Sequence, residues 1–360
     1  MATICQIGSG LIGKVMALDL MERHDVHIAD INQIELNKIK ILNPKIKTKN
    51  FDFNDFDTLK SFVDPADIVL LAVPGHMGFK LLKTIISFKK NIVDISFSPE
   101  NILSLDRHAK ENNVTVIFDA GLAPGIPNFI LGHINSKEKI KEFKYFVGGL
   151  PKNPEPPYNY KAPFSPIDVI EEYIRPARMM KNGRVITKPA LTDIEVKNYK
   201  LIGLLEGFNT DGLRSILSTM KHIPNMSEKT LRFPGHAELI SKELKSGTII
   251  PSNKNNLKRL FEKWTLCPSD LEFTVLDIFI RTDNKTHNYF LFDETHTKSK
   301  NTSMSRTTGY TATATVDLID NKIFNDKGVF PPELIGSEPK VLDFLTRHLN
   351  KRGVHLKEIK

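Results

Sequence analysis

The chain has 360 residues and a mass of 40.8 kDa, enough for roughly two domains with sizeable cores. Hydrophobic residues make up 40% and charged residues 26%, which excludes a disordered or fibrous protein. Fifty Lys and Arg against 42 Asp and Glu leave a formal charge of +8; the basic residues are dispersed, without aromatic interleaving or a nucleic-acid-binding motif, so the excess speaks of solubility and no nucleic-acid partner is expected.

Ala2 to Ile7 form a short β-branched run that breaks at Gly8. Apolar residues from Leu11 to Leu20 follow at helical spacing, and a second apolar run, Val26 to Ala29, ends in Asp30. This is a βαβ unit. A weak third strand is predicted near Thr48 to Phe51, and clearer ones at Asp67 to Val73, Asn91 to Ile95 and Val114 to Phe118. Helix-sized segments, Met77 to Ser87 and Asn101 to Lys110, separate them. Strands alternating with helices predict a Rossmann-type doubly wound parallel sheet over residues 1–125. From Lys144 the pattern changes. Phe146 to Gly149 reads as a strand, and the proline-rich stretch after it as an ordered surface loop. Ile167 to Ile174 and Ala237 to Leu244 read as helices, and Leu271 to Arg281 with His287 to Asp293 as a hairpin over Asp283 and Asn284. A second, mixed α+β domain for substrate binding and oligomerisation is expected over residues 126–325. Residues 326–360, with a helix over Pro339 to Lys351, are expected to return to the first domain.

Gly8, Ser9, Gly10, Leu11, Ile12 and Gly13 form G-x-G-x-x-G. Gly8 permits the tight turn, Gly10 lets the backbone approach a pyrophosphate, and Gly13 lets helix and strand pack closely. The motif follows a strand, opens a helix, and has an acid 22 positions after Gly8, the context that marks dinucleotide binding. Asp30 suits ribose hydroxyls and repels a 2′-phosphate, so NAD is the expected cofactor. The other strands end at Val73, Pro74 and His76, at Ser96, and at Asp119, Ala120 and Gly121. Val73, Pro74 and Ser96 are expected to line the cofactor together with Ala120 and Gly121, and Asp119 to face the reacting end.

Two cysteines, Cys5 and Cys267, make neither a disulfide framework nor a four-ligand zinc site by themselves, and no metal is expected. No stretch of about 18 apolar residues predicts a membrane span, and the apolar start lacks the basic flank of a secretion signal. A cytoplasmic protein is expected.

The glycine motif, DAGLAPG (Asp119 to Gly125), GGLPKNPEPPYNY (Gly148 to Tyr160), LLEGFNTDGL (Leu204 to Leu213), EKTLRFPGHAE (Glu228 to Glu238) and GVFPPE (Gly328 to Glu333) resemble the saccharopine dehydrogenase-like family, and within it the lysine 6-dehydrogenases most closely. The segment AVPGHMG departs from their wording. The resemblance implies NAD-dependent oxidative deamination of the lysine ε-amino group, to a semialdehyde that cyclises to piperideine-6-carboxylate. Asp119 is then the first candidate for polarising amine or water, His236 the second and His76 a weaker third. Arg232 is the candidate for holding the α-carboxylate, and Tyr173, Asn209 and Thr210 for lining the pocket, expected in a cleft between the two domains. Tyr158 and Tyr160 are expected at a subunit contact of a homo-oligomer. The alternatives are a saccharopine- or carboxynorspermidine-type enzyme, with a second carboxylate-binding group, and a non-catalytic NAD-binding module.

Overall fold

The computed structural model describes residues 1–267 and 269–359. They form two units, one of residues 1–136 and 305–353, the other of residues 137–304 and 354–360. Among the described residues no helix is long and apolar enough to cross a membrane.

The first unit opens with β1 (Thr3–Ile7), α1 (Leu11–Leu20), β2 (Asp25–Asp30), α2 (Gln33–Leu42), β3 (Lys47–Asn50), α3 (Phe56–Val63), β4 (Ile68–Leu71), α4 (Gly75–Ser87), β5 (Asn91–Asp94), α5 (Asp106–Glu111), β6 (Thr115–Ile117) and α6 (Ile126–Asn135). All four residues of β4 are buried, the mark of a strand covered on both faces. Local chemistry starts several helices: Asn32 and Asp55 accept the first N–H groups of α2 and α3, each such cap contributing about 1 kcal/mol. By contrast α1 begins at Gly10 without a side-chain cap. The segment from Asn101 to Lys110 is not one helix but a 3₁₀ turn, Ile102–Leu105, followed by α5.

The second unit carries β7 (Ile140–Pro151), α7 (Pro166–Ile174), β8 (Ala177–Lys181), β9 (Arg184–Lys188), β10 (Glu195–Tyr199), β11 (Gly203–Asn209), α8 (Ile216–Thr219), β12 (Asn225–Arg232), α9 (His236–Lys245), α10 (Lys254–Trp264), β13 (Glu272–Thr282) and β14 (Thr286–Glu294). The predicted strand Phe146 to Gly149 is the middle of the twelve-residue β7, which pairs in parallel with β12 and antiparallel with β13. Helices α7, α9 and α10 contribute Val169, Ile170, Ala237, Ile240 and Trp264 to one buried cluster. Tyr158 and Tyr160 belong to it too, at 8% and 3% exposure, each edge-on to Trp264. Their expected place at a subunit contact is therefore corrected: the aromatic loop folds into the unit's own core, where large rings bury most area.

After β14 come α11 (Ser303–Asp320), β15 (Gly328–Phe330), α12 (Pro332–Ile335), α13 (Val341–Lys351) and β16 (Leu356–Ile359). β15 joins the seven-stranded sheet of the first unit, ordered β15-β6-β5-β4-β1-β2-β3, and its neighbouring pairs are parallel. β16 closes the edge of the second sheet beside β14. The sequence pattern had shown no element over α11. Threonine is a modest helix former, yet Thr311 and Thr315 are buried and bond back to carbonyls four residues earlier, at 2.8 and 2.9 Å, so their hydroxyls enter the interior satisfied.

Asp317 on α11 ties the end of α1 and α13 together in the first unit. Arg23 Nε donates to it at 2.8 Å, His24 Nε2 lies at 2.9 Å and His348 Nδ1 at 3.3 Å. Burial pushes its carboxyl up, but bonds from His24 and His348 and the charge of Arg23 outweigh that and hold it well below the usual range. His348 is itself held down, by burial, so at neutral pH it meets Asp317 as a neutral ring. A depressed folded pKa contributes stability above the unfolded value, near 3.9, that is lost as pH falls through the folded one. Asp317→Asn should cost about 3 kcal/mol at pH 7, read by urea unfolding, and the gap to the unsubstituted chain should close in acid. Equal stability at pH 7 contradicts this role.

Candidate active site

In the first unit, β1 delivers the chain into the glycine turn. Gly8 stands at φ +105°, and a Cβ there would come within 2.2 Å of the Ala72 carbonyl oxygen; one at Gly13 would come within 2.3 Å of the Gly8 oxygen. These two glycines are demanded by the protein's own packing. Gly10 is not: its φ is −62°, and a Cβ there meets nothing within 4 Å. Space in front of an uncapped helix start is what an approaching pyrophosphate needs. Gln6, buried on β1, donates to the carbonyls of Gly8 and Gly13 at 2.8 and 2.7 Å and fixes the turn. At the end of β2, Asp30 accepts from the Ser9 N–H at 2.6 Å and hydroxyl at 2.8 Å, and from the Asn32 N–H at 2.7 Å. The two pieces of the motif are thus bonded to one another.

Other strand ends of this sheet carry the remaining predicted residues. Val73 is buried, while Pro74 and His76 are exposed at the start of α4. Ser96 is 2% exposed, its N–H bound to Asp94 and its hydroxyl without a protein partner. Close packing holds this segment, because a Cβ at Gly75 would strike the Phe97 oxygen at 2.2 Å. Asp119 lies just beyond β6, 3% exposed, at φ +56°, a left-handed conformation that aspartate tolerates better than most residues. Ala120 is buried and donates its N–H to the Asp94 carbonyl at 3.1 Å; Gly121 is bridged to Gly125.

The second unit holds a compact polar cluster on its sheet. Strand alternation places Glu228, Thr230 and Arg232 of β12 on one face. Arg232 is 2% exposed; its Nε donates to the Tyr173 hydroxyl at 3.0 Å, Nη1 to the Leu231 carbonyl at 2.9 Å, and Nη2 to the Tyr160 hydroxyl at 3.3 Å and Glu172 at 3.5 Å. The guanidinium also lies 4.3 Å from the centre of the Tyr160 ring, a favourable cation–π distance. Burial pushes Glu172 up to about 7, against the pull of Arg232, although a quarter of its side chain stays exposed. Glu228 takes bonds from the Thr210 hydroxyl, at 2.9 and 2.7 Å to its two oxygens, and from the Gly212 N–H at 3.1 Å. Burial raises it to about 8, with the charge of Glu172 adding to the effect. His236 opens α9 behind Gly235, whose φ is +91°. Glu206 secures that start by accepting from the N–H groups of Gly235 and Ala237.

Of the catalytic and substrate candidates, Arg232, Tyr173 and His236 meet, the Tyr173 oxygen lying 3.0 Å from both Arg232 Nε and His236 Nε2, and Thr210 bonds to Thr230, at 2.8 Å, and to Glu228 on the same strand. Asn209 does not: its amide serves Thr192 and Asp193. Sequence reasoning missed Glu172, Glu228 and Gln6. An acid two residues before the threonine of EKTLR gives no local sign that it will be buried. Among the described residues no group of three His, Cys, Asp or Glu could hold a metal.

Residues 121–354 match the family described as Saccharopine dehydrogenase C-terminal domain, and residues 4–117 that described as Saccharopine dehydrogenase NADP binding domain. A mitochondrial alpha-aminoadipic semialdehyde synthase of Rattus norvegicus is 25% identical over 68% of this chain and 28% of its own length. The saccharopine dehydrogenase [NADP(+), L-glutamate-forming] of Pyricularia oryzae is 30% identical over 51% of this chain and 42% of its own. The chain spans less than a third of the length of the semialdehyde synthases it matches. The apo saccharopine dehydrogenase (L-Glu forming) of Saccharomyces cerevisiae shares the fold, with a TM-score of 0.80 at 18% identity, over 100% of this chain and 99% of that one. The two domain matches account for nearly all of the sequence, and the chain belongs to the saccharopine dehydrogenase family.

Proposed function

We propose that the chain is a nicotinamide-dinucleotide-dependent oxidoreductase acting on a carbon that bears nitrogen, and that it oxidises the ε-amine of L-lysine with NAD. The observation that carries the substrate is the charge set around Arg232. The buried guanidinium of Arg232 stands with two carboxyls, Glu172 and Glu228, while the other cations nearby, Arg175 and Arg178, are less buried and lie beside Glu171 and Asp211. Such a set suits a substrate with one carboxylate and free amines. Saccharopine carries further carboxylates, each calling for a cation of its own.

The glycine turn fits a dinucleotide, since Gly10 leaves open the space that a Cβ would fill. Backbone N–H groups at the start of α1 would hold the pyrophosphate, Asp30 the adenosine ribose, and Val73, Pro74, Ser96, Ala120 and Gly121 the rest. When bound, the nicotinamide supplies the hydride acceptor. Lysine's ε-ammonium, with an ordinary pKa near 10.4, must first lose a proton, and Asp119 is the acceptor we assign, with His76 as the alternative. Hydride loss then leaves an imine; water adds, ammonia departs, and the semialdehyde closes on its own α-amine. A second reading, saccharopine with NADP, is favoured by the printed names of the relatives from Pyricularia oryzae and Saccharomyces cerevisiae.

Incubating the protein with each pairing of NAD or NADP and lysine or saccharopine, and following reduced cofactor, separates the two. Lysine turnover with NAD, without glutamate release, is expected; turnover of saccharopine alone overturns the reading. Asp30→Ala combined with Ile31→Arg should shift the NADP-to-NAD ratio of kcat/KM by about tenfold or more toward NADP, and an unmoved ratio removes Asp30 from the ribose.

The glycines give a sharper contrast. Gly8→Ala should lower thermal stability, because its Cβ strikes backbone and its φ is strained. Gly10→Ala should keep the melting temperature yet weaken NADH binding about tenfold or more, read by quenching or transfer fluorescence. Undiminished binding by Gly10→Ala contradicts the cradle.

A further inference from the structure

We propose that His236 is a positioning residue, whose neutral imidazole holds the Tyr173 hydroxyl and through it aims Arg232 at the substrate's carboxylate. The inference rests on the reading that Arg232 receives that carboxylate.

Three hydrogen bonds run in series. Arg232 Nε lies 3.0 Å from the Tyr173 oxygen, that oxygen 3.0 Å from His236 Nε2, and His236 Nδ1 2.8 Å from the Tyr158 carbonyl. A guanidinium can only donate and a carbonyl can only accept. Both ends of the series are therefore fixed, and so is its direction: Nδ1 carries the ring proton, Nε2 offers its lone pair to the Tyr173 O–H, and the tyrosine oxygen is left to accept from Arg232. A proton on Nε2 would turn a second donor toward the oxygen Arg232 already uses, and the tyrosine proton would lose its acceptor.

The surroundings favour the same state. Burial and the charge of Arg232 push His236 down to about 3, opposed only by the bond to Tyr158, while burial pushes Tyr173 up to about 12. Rings stand edge-on around the series, with Tyr173 5.6 Å from His236 and 6.2 Å from Trp264, and Tyr160 5.3 Å from each of His236 and Trp264. Glu206 pins the turn that presents the imidazole. With both nitrogens engaged and 3% exposure, the ring is built to hold a neighbour in place.

The test compares lysine with cadaverine, which lacks the carboxylate, in His236→Gln and Tyr173→Phe, with NADH binding as the check that each variant is folded. Both variants should raise the KM for lysine about tenfold, more than they lower kcat, and the lysine-to-cadaverine ratio of kcat/KM should fall by a similar factor. An unmoved ratio reduces the series to a structural role and overturns the proposal. Loss of the acidic limb of the kcat/KM pH profile in His236→Gln also overturns it, because His236 would then be the base. Nitrogen NMR of histidine-labelled protein, assigned with His236→Gln, should show the Nδ1–H tautomer unchanged between about pH 6 and 8; an Nε2–H or charged ring overturns the series directly. If the unsubstituted chain oxidises neither lysine nor cadaverine, the substrate reading fails and the aiming role falls with it, while the spectrum still decides the direction of the series.

Discussion

A positive charge withdrawn from water has to be met on every side, and the buried guanidinium of Arg232 imposes that demand on the second unit. Its position on β12 is set by pairing with β7 and β11. Around it gather Tyr160 from the proline-rich loop, Glu172 and Tyr173 from α7, and the Leu231 carbonyl. Trp264 from α10 backs the aromatic rings. Removing the guanidinium would leave two hydroxyls and a carboxylate facing one another without the charge that organises them. The proposed function has the same group meet the substrate's carboxylate, the partner a planar guanidinium suits best.

The first unit answers to a different constraint, close backbone approach. Two of its motif glycines are required by packing within the protein and one is not. That difference separates the fold's needs from those of a ligand. Asp30, bonded to Ser9, places a carboxylate beside the turn, where the proposed function has it meet the adenosine ribose. The charge of the whole chain plays no part in either site. Each is governed by groups within a few ångströms, and a surface excess of lysine is screened beyond about 10 Å.

Much of the first unit could be read from the sequence because its signals are local. The glycine turn, the acid at the end of β2 and the alternation of apolar runs with helical stretches all lie within short spans, and the parallel sheet follows from them. The second unit was legible only in pieces, among them the hairpin of β13 and β14 and the helices α7 and α9. Strands β8 to β12 were not predicted; β9 and β10 alternate largely polar residues at a sheet edge, which leaves little apolar signal. Arg232, Tyr173 and His236 stand out in the sequence as candidates, but their order of donation does not. It depends on the Tyr158 carbonyl, 78 positions from His236, and on burial that only the folded sheet supplies. Glu228 went unnoticed for the same reason: its Thr210 and Gly212 partners come from the segment that follows β11.

The central claim is that Arg232 receives the α-carboxylate of an amino-acid substrate. Calorimetric binding of lysine and of cadaverine to the NADH complex, in the unsubstituted chain and in Arg232→Lys, tests it most directly. The account predicts that Arg232→Lys weakens lysine by about thirtyfold, the loss of a charged hydrogen-bonded contact, and shifts cadaverine far less. Equal weakening of both ligands, or of neither, would contradict it.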